Sequence, residues 1–250
     1  MPPVTELIFG VDIGGTGVKA APVDIQAGTL TEERIRILTP QPSTPKAVAG
    51  VVKQVVDRFG WNGPVGCTFP AVVKNGVTLT AANVDKSWIG TDADKIFSDA
   101  IGMPVTVGND ADAAGIAEMR FGAGKDRNGV VVIITLGTGI GCGMFLDGKL
   151  VPNTELGHIE IDGKDAEKLA SEIVRERKGL SWKQYAARVE TYLRRLDALI
   201  WPDLVIIGGG ISKKADKFLP LIDVRPEVVP AQLQNDAGIV GAALIAAEHR

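Results

Sequence analysis

The sequence has 250 residues, 45% of them apolar and 23% charged, with a net charge of −3. That balance suits a folded chain of one or two domains and excludes a disordered one. It also excludes a global basic field for nucleic acid or anionic membrane, so a polyanionic ligand would need a local basic patch. The first ten residues, MPPVTELIFG, carry neither a basic segment nor an apolar run of signal-peptide length. The longest apolar run, GVVVIITLG, is too short to span a bilayer. Cys67 and Cys142 stand singly in apolar stretches, without zinc spacing. They read as buried free thiols of a reducing cytoplasm.

Residues 6–13 read as a strand, and VKAAPVDI after the glycines as its return, which makes a hairpin. A helix follows, with Thr44 as cap, Pro45 at its first position and Gly60 closing it. Its apolar stripe is Val48, Val51, Val52, Val55, Val56 and Phe59. PVGCTF reads as a buried strand, and GTDADKIFSDAIG as a capped helix with Ala93, Ile96, Phe97 and Ala100 inward. Past MPVTVGND the pattern repeats in kind: GVVVIITLG is a strand and TGIGCGMFLDG turns and returns. SWKQYAARVETYLRRLDALI is the clearest helix, stopped by Pro202. DLVIIGGGIS reads as a strand running into a helix start, and GIVGAALIAAEH as a closing apolar helix. Alternating strands and helices define an α/β fold with mixed sheets.

Gly15-Thr16-Gly17-Val18 falls on Gly137-Thr138-Gly139-Ile140 when the chain is laid over itself. Each triplet follows one apolar strand and precedes another, so the two halves should share a build, with a ligand between them. Neither turn is a Walker loop or a dinucleotide fingerprint, since a strand rather than a helix follows. Glycine still lets the backbone approach closely, and turn N–H groups can converge on an anion. Gly137, Gly139, Gly141 and Gly143 recur with period two, which in a strand would bare one face to a ligand. Ordinary hairpin turns are the plain alternative. The pair, with Asp12 and a third cluster at Gly208-Gly209-Gly210, favours phosphate binding.

The pattern D-x-G-G-T-x-x-K, then N-D-A-D, L-G-T-G-I-G, E-L-G-H and G-G-G-I-S resembles the ROK family of sugar kinases. TPQPSTP, AANVDKSWIGT and PNTELGH resemble its polyphosphate-using glucokinase branch. The resemblance runs over residues 7–247. It implies an actin-like (hexokinase-like, ribonuclease H-like) fold of two domains about a central cleft, in a cytoplasmic homodimer. The domains would be 1–108, completed by the helix 236–250, and 109–235. The chain departs from the family's zinc motif, because GHIEIDGKDAEKLAS holds no cysteine. No structural zinc is therefore expected. The glutamate ending that motif falls on Glu167, with Glu160 as its rival.

Phosphoryl transfer needs the donor's charge held, the hydroxyl aimed in line and a base for its proton. The resemblance places Gly14, Gly15, Thr16, Gly17, Gly137, Thr138, Gly139, Gly209 and Gly210 on the donor's phosphates. Asp12 would position Mg²⁺ through water, and Lys19 would either add positive charge or stand solvated on its strand. Asp110 is the candidate base, although an aspartate there is also a good helix cap. Asn83, Asn109, Glu155, His158 and Glu167 are the sugar-side candidates. Glu155 and His158 suit a polyhydroxylated ring, since one accepts and the other both donates and accepts. Their alternative is a buried polar pair. A metal site is disfavoured, because the other histidine is the terminal His249.

The implied reaction moves a phosphoryl group from polyphosphate, and from ATP, to the 6-hydroxyl of glucose or mannose. Lys125, Arg127, Lys213 and Lys214 are candidates for guiding a long polyanion. The competing readings are a strictly ATP-dependent kinase for another hexose or an amino sugar, a sugar-binding ROK regulator without catalysis, and a two-carboxylate hydrolase. The regulator would need a DNA-binding domain, for which the first strand leaves no room; the hydrolase gives both glycine turns no purpose. Neither nucleic acid nor a membrane is expected as a partner.

Overall fold

A computed structural model describes residues 6–82 and 84–248. The chain divides into two compact units. One holds the residues up to Ala117 together with those from Asp236 onward, and the other is Glu118–Asn235.

In the first unit, β1 (Leu7–Ile13) and β2 (Val18–Asp24) form the antiparallel hairpin read from the sequence. The short strands β3 (Thr29–Leu30) and β4 (Ile35–Ile37) both pair with β2. Helix α1 (Pro45–Arg58) is capped by Thr44, whose side chain accepts from the Ala47 amide at 3.4 Å. Next come β5 (Val65–Phe69), a small hairpin of β6 (Val73–Lys74) and β7 (Val77–Thr78), helix α2 (Ala93–Ile101), capped by Asp92, and β8 (Val105–Asn109). The sheet order is β3-β2-β1-β5-β8, with β1, β5 and β8 parallel. Helix α3 (Asp110–Phe121) leaves the end of β8.

The second unit repeats this plan. β9 (Val130–Leu136) and β10 (Ile140–Leu146) form the hairpin, and β11 (Lys149–Val151) extends it. β12 (Glu160–Ile161) and β13 (Lys164–Asp165) make a separate ribbon. Helices α4 (Glu167–Ala170), α5 (Glu172–Arg177) and α6 (Trp182–Ile200) lead to β14 (Leu204–Gly208) and β15 (Glu227–Pro230). The order β11-β10-β9-β14-β15, with β9, β14 and β15 parallel, matches that of the first sheet strand for strand.

Helix α7 (Ala237–Glu248) returns to the first unit, and Ala237 and residues 239–246 are buried on every side. It lies directly on the strands. A Cβ on Gly66 would stand 1.8 Å from the Ala242 carbonyl, and one on Gly10 2.0 Å from that of Ile239. Only glycine permits that approach.

Three expectations are corrected. The domain boundary set after residue 108 shifts, because 109–117 belong to the first unit, where Ala111, Ala113 and Ala117 are buried and Ala113 meets Gly241 of α7. Gly137 and Gly139 lie in the turn, so only Gly141 and Gly143 share a strand. The helix start after the third glycine cluster is a 3-10 stretch, Gly210–Lys217, broken by non-helical dihedrals at Lys214. Cys67 and Cys142 are buried and free, and burial pushes the Cys67 thiol far up. Among the described residues no helix is long and apolar enough to cross a membrane.

Candidate active site

Because β1, β5 and β8 run parallel, their carboxyl ends share one edge, where α/β sheets place their ligands. Asp12, Thr68 and Asn109 all sit at that edge. The Thr68 hydroxyl, fully buried, donates to Asp12 Oδ1 at 3.0 Å and accepts from the Ile13 amide at 3.2 Å. Lys19 Nζ donates to Asp12 Oδ2 at 2.9 Å from the opposite position on β2. On the far side, a Cβ on Gly238 would lie 2.7 Å from the Asp12 carboxyl carbon. The start of α7 thus closes over this carboxylate.

The turn above Asp12 is closed by the Gly14 amide donating to the Gly17 carbonyl at 3.0 Å. The Gly15 and Thr16 amides make no backbone hydrogen bond among the described residues. The Thr39 hydroxyl, in the TPQPSTP segment, donates to the Gly14 carbonyl, and Arg36 Nη2 to the Thr16 carbonyl at 3.2 Å.

At the end of β8 the cap is Asn109, not Asp110. Asn109 Oδ1 accepts from the Ala111 and Asp112 amides at 2.9 and 3.0 Å, and its Nδ2 donates to the Ala71 carbonyl at 3.0 Å. Asn109 is 9% exposed, so its oxygen is committed to α3 and at most one N–H remains for a ligand. Asp110 is half-buried in the first turn of α3, where the helix dipole favours its negative charge, and its Oδ1 accepts from the Ala111 amide at 2.8 Å. Asn83 lies outside the described residues, as does His249.

In the second unit the Gly137 amide donates to the Gly139 carbonyl at 3.1 Å. The Gly137 carbonyl in turn accepts from Ile173 of α5 at 3.1 Å. A Cβ on Gly209 would stand 2.4 Å from the Leu136 carbonyl, so the third glycine cluster backs directly onto this turn. Gly210 faces Glu172, whose carboxyl is raised by burial and by Glu176 and lowered by Lys214 and Arg175. Thr138, at the tip, is exposed.

Glu155 and His158 flank a 3-10 turn, Leu156–His158, with Nε2 of His158 3.5 Å from Glu155 Oε2. Burial raises the Glu155 carboxyl above its ordinary 4.5, against the pull of His158, and Glu167 adds to the rise. Ligand atoms of His158, Asp165 and Glu167 lie within 4.8 Å of one another. The structure therefore brings Glu167 to the Glu155–His158 pair, whose two members are exposed, as Glu160 on β12 is, and do not form a buried polar pair. It also gathers a His–Asp–Glu trio that cysteine and histidine spacing does not reveal. Lys168 holds its Asp165 at 2.8 Å.

Of the remaining cations, Arg127 is paired with Glu227 in an exposed ion pair. Lys213 and Lys214 are exposed, and Lys214 acts on Glu172 beside the third glycine cluster. Thr68, Arg36, Thr39, Gly238 and Asp165 were not singled out from sequence. The one signal for Thr68 was a lone polar residue within the apolar VGCTF; the signal for Arg36 was the alternation R-I-R-I.

Two like-built α/β units, each with a glycine turn between its first two strands, define the actin-like fold of sugar kinases. The chain belongs to the ROK family, whose model matches residues 8–176. It is 54% identical over 237 residues to the polyphosphate glucokinase of Mycobacterium tuberculosis, covering 94% of this chain and 89% of that one. Among solved structures, the inorganic polyphosphate/ATP-glucomannokinase of Arthrobacter sp. strain KM matches with a TM-score of 0.95 at 51% identity, over 98% of this chain and 99% of that one. A ROK family glucokinase from Streptomyces griseus, in complex with glucose and AMPPNP, matches with a TM-score of 0.84 at 27% identity, over 97% of this chain and 100% of that one.

Proposed function

We propose that this chain is a polyphosphate/ATP glucokinase. It transfers a phosphoryl group from inorganic polyphosphate, and from ATP, to the 6-hydroxyl of glucose and of mannose, as a cytoplasmic homodimer. The observation that carries the reading is likeness above 50% identity, over nearly the whole chain, to a polyphosphate glucokinase and to a polyphosphate/ATP-glucomannokinase. The site chemistry agrees with it. The open Gly15 and Thr16 amides suit phosphate oxygens, as does the turn at Gly137, Thr138 and Gly139, backed by Gly209 and Gly210.

Asp110 takes the proton of the 6-hydroxyl as its oxygen attacks the terminal phosphorus, and the shortened donor leaves. Asn109 offers its remaining N–H to a neighbouring sugar hydroxyl. Ionised Glu155 accepts two ring hydroxyls, His158 donates to or accepts from another, and Glu167 completes the set. Asp12 fits an outer role toward Mg²⁺: each of its oxygens already accepts one bond, leaving lone pairs for water rather than a bare carboxylate for the ion. Bound with the donor, Mg²⁺ supplies neutralising charge at the phosphates.

A coupled assay for glucose 6-phosphate tests the whole, with polyphosphate and ATP offered separately in the presence of Mg²⁺. Product from polyphosphate is expected; no product from either donor ends the proposal. Mannose competing with glucose in that assay tests the second acceptor, and sedimentation the dimer.

A further inference from the structure

From the sequence, Lys19 either adds positive charge at the donor or stands solvated on its strand. Its ammonium is instead bound to Asp12 at 2.9 Å. The strand register shows what takes its place. Asp12 stands opposite Lys19 on β2, and Lys19 stands opposite Arg36 on β4, so one rung across three strands carries Asp12, Lys19 and Arg36 in a row. Two cations face one carboxylate there.

Segment 34–39 wraps the glycine turn closely. Arg34 pairs with Asp236, next to the start of α7, and is thereby neutralised. Thr39 anchors the Gly14 carbonyl. Between them, Arg36 lies over the turn itself. A Cβ on Gly17 would stand 2.5 Å from its Nε, and Nη2 donates to the Thr16 carbonyl at 3.2 Å. Arg36 is exposed, and among the described residues no carboxylate pairs with it. The guanidinium is fixed at its root against the turn, and its charge is uncompensated beside the open Gly15 and Thr16 amides.

We propose that Arg36 is a donor-binding residue: its guanidinium holds a non-transferred phosphate of the donor chain at the rim of the Gly14–Gly17 turn. This rests on the phosphotransferase reading above. A planar fork with several N–H donors fits two oxygens of one phosphate, and such charge-assisted pairs are among the stronger hydrogen bonds. Packing against Gly17 presets the fork, so little side-chain freedom is lost when phosphate arrives. A glycine at 17 is thus needed for the arginine as much as for the turn.

The test compares Arg36→Gln and Arg36→Lys with the parent chain. For Arg36→Gln, KM for polyphosphate should rise about tenfold, with KM for glucose unchanged. The rise of donor KM with added salt should also become shallower, because one screened charge is gone. Arg36→Lys should recover part of the affinity, since it keeps the charge without the fork. Titration with inorganic tripolyphosphate, followed by thermal shift, gives a reading independent of turnover; Arg36→Gln should need about tenfold more of it. Donor KM and salt dependence unchanged in both variants would overturn the proposal. So would glucose KM rising in step with donor KM, the mark of a merely structural role. If the parent chain makes no product from either donor, the kinase reading fails. The tripolyphosphate titration still decides Arg36, and equal midpoints for parent chain and variants would overturn it.

Discussion

Glu118 presents the sharpest test of how this chain is held together. It is 1% exposed in α3, and its carboxylate accepts three backbone amides. Oε2 receives Ala123 at 2.9 Å and Gln232 at 3.1 Å, and Oε1 receives Leu233 at 2.7 Å. One side chain thus ties the end of α3 to the segment that leads into α7, across more than a hundred residues of sequence. A bond to a charged acceptor contributes about 1.5–3 kcal/mol, and removing one member of a buried charged network costs about 3–5 kcal/mol. Three such bonds would exceed that if summed, but the variant is also relieved of burying a carboxylate. Glu118→Ala should therefore lose about 3 kcal/mol, which lowers the melting temperature by about 6–12 °C for a chain of this size. Glu118→Gln keeps the shape but turns an NH₂ toward at least one of the three amides, and should lose about 2 kcal/mol. Thermal unfolding followed by circular dichroism reads both, and proteolysis within 231–235 should quicken in each. Melting within about 2 °C of the parent chain for both variants would refute the clasp.

Asp110→Asn should lower turnover about a hundredfold or more while leaving glucose affinity by calorimetry within about threefold, since the amide keeps the shape but takes no proton. Normal turnover would remove Asp110 from the chemistry. The folded Glu155 carboxyl holds its proton above 4.5, so the unfolded chain loses that proton first and ionisation there opposes stability as pH rises through the window. On the proposed role, in which the ionised form accepts the sugar, KM for glucose should rise on acidification, with its inflection above the ordinary 4.5, and Glu155→Gln should abolish it. A pH profile of KM that is flat down to 4.5 would contradict this. Gly66→Ala places a methyl 1.8 Å from the Ala242 carbonyl and forces α7 off its strand, which should cost at least about 3 kcal/mol of stability by thermal melt.

Much of the chain could be read without coordinates, and the reason is locality. Helix α6 is capped by a reciprocal Ser181–Gln184 pair three residues apart, and its buried residues Tyr185, Ala186, Val189, Leu193 and Leu196 keep the helical period. Both glycine hairpins announce themselves as strand, turn and strand. Partnership was harder to see. Glu118 looks like any solvated charge in an alanine-rich helix until the 231–235 segment folds onto it. Asn109 and Asp110 are equally good caps by type, and only the path of α3 away from β8 gives the cap to Asn109. Glu167 and Glu160 are alike as carboxylates, and only the fold of the β12–β13 ribbon sets Glu167 beside His158.

The sequence by itself determined the alternating strands and helices, the doubled glycine turn and membership in a family, because these are short patterns in which each residue reports on near neighbours. The tertiary structure alone decided which charges remain available. Lys19 is paired with Asp12, seven residues away, while Arg36 has no carboxylate partner among the described residues, because the pairing of β1, β2 and β4 aligns three side chains that no local pattern links. Thr68 reached Asp12 across 56 residues through the β1–β5 register, and Gly238 reached it only because α7 returns to lie on that sheet. Side-chain chemistry is written in the chain, but a charge acquires its role from what stands opposite it, and long-range strand register sets that.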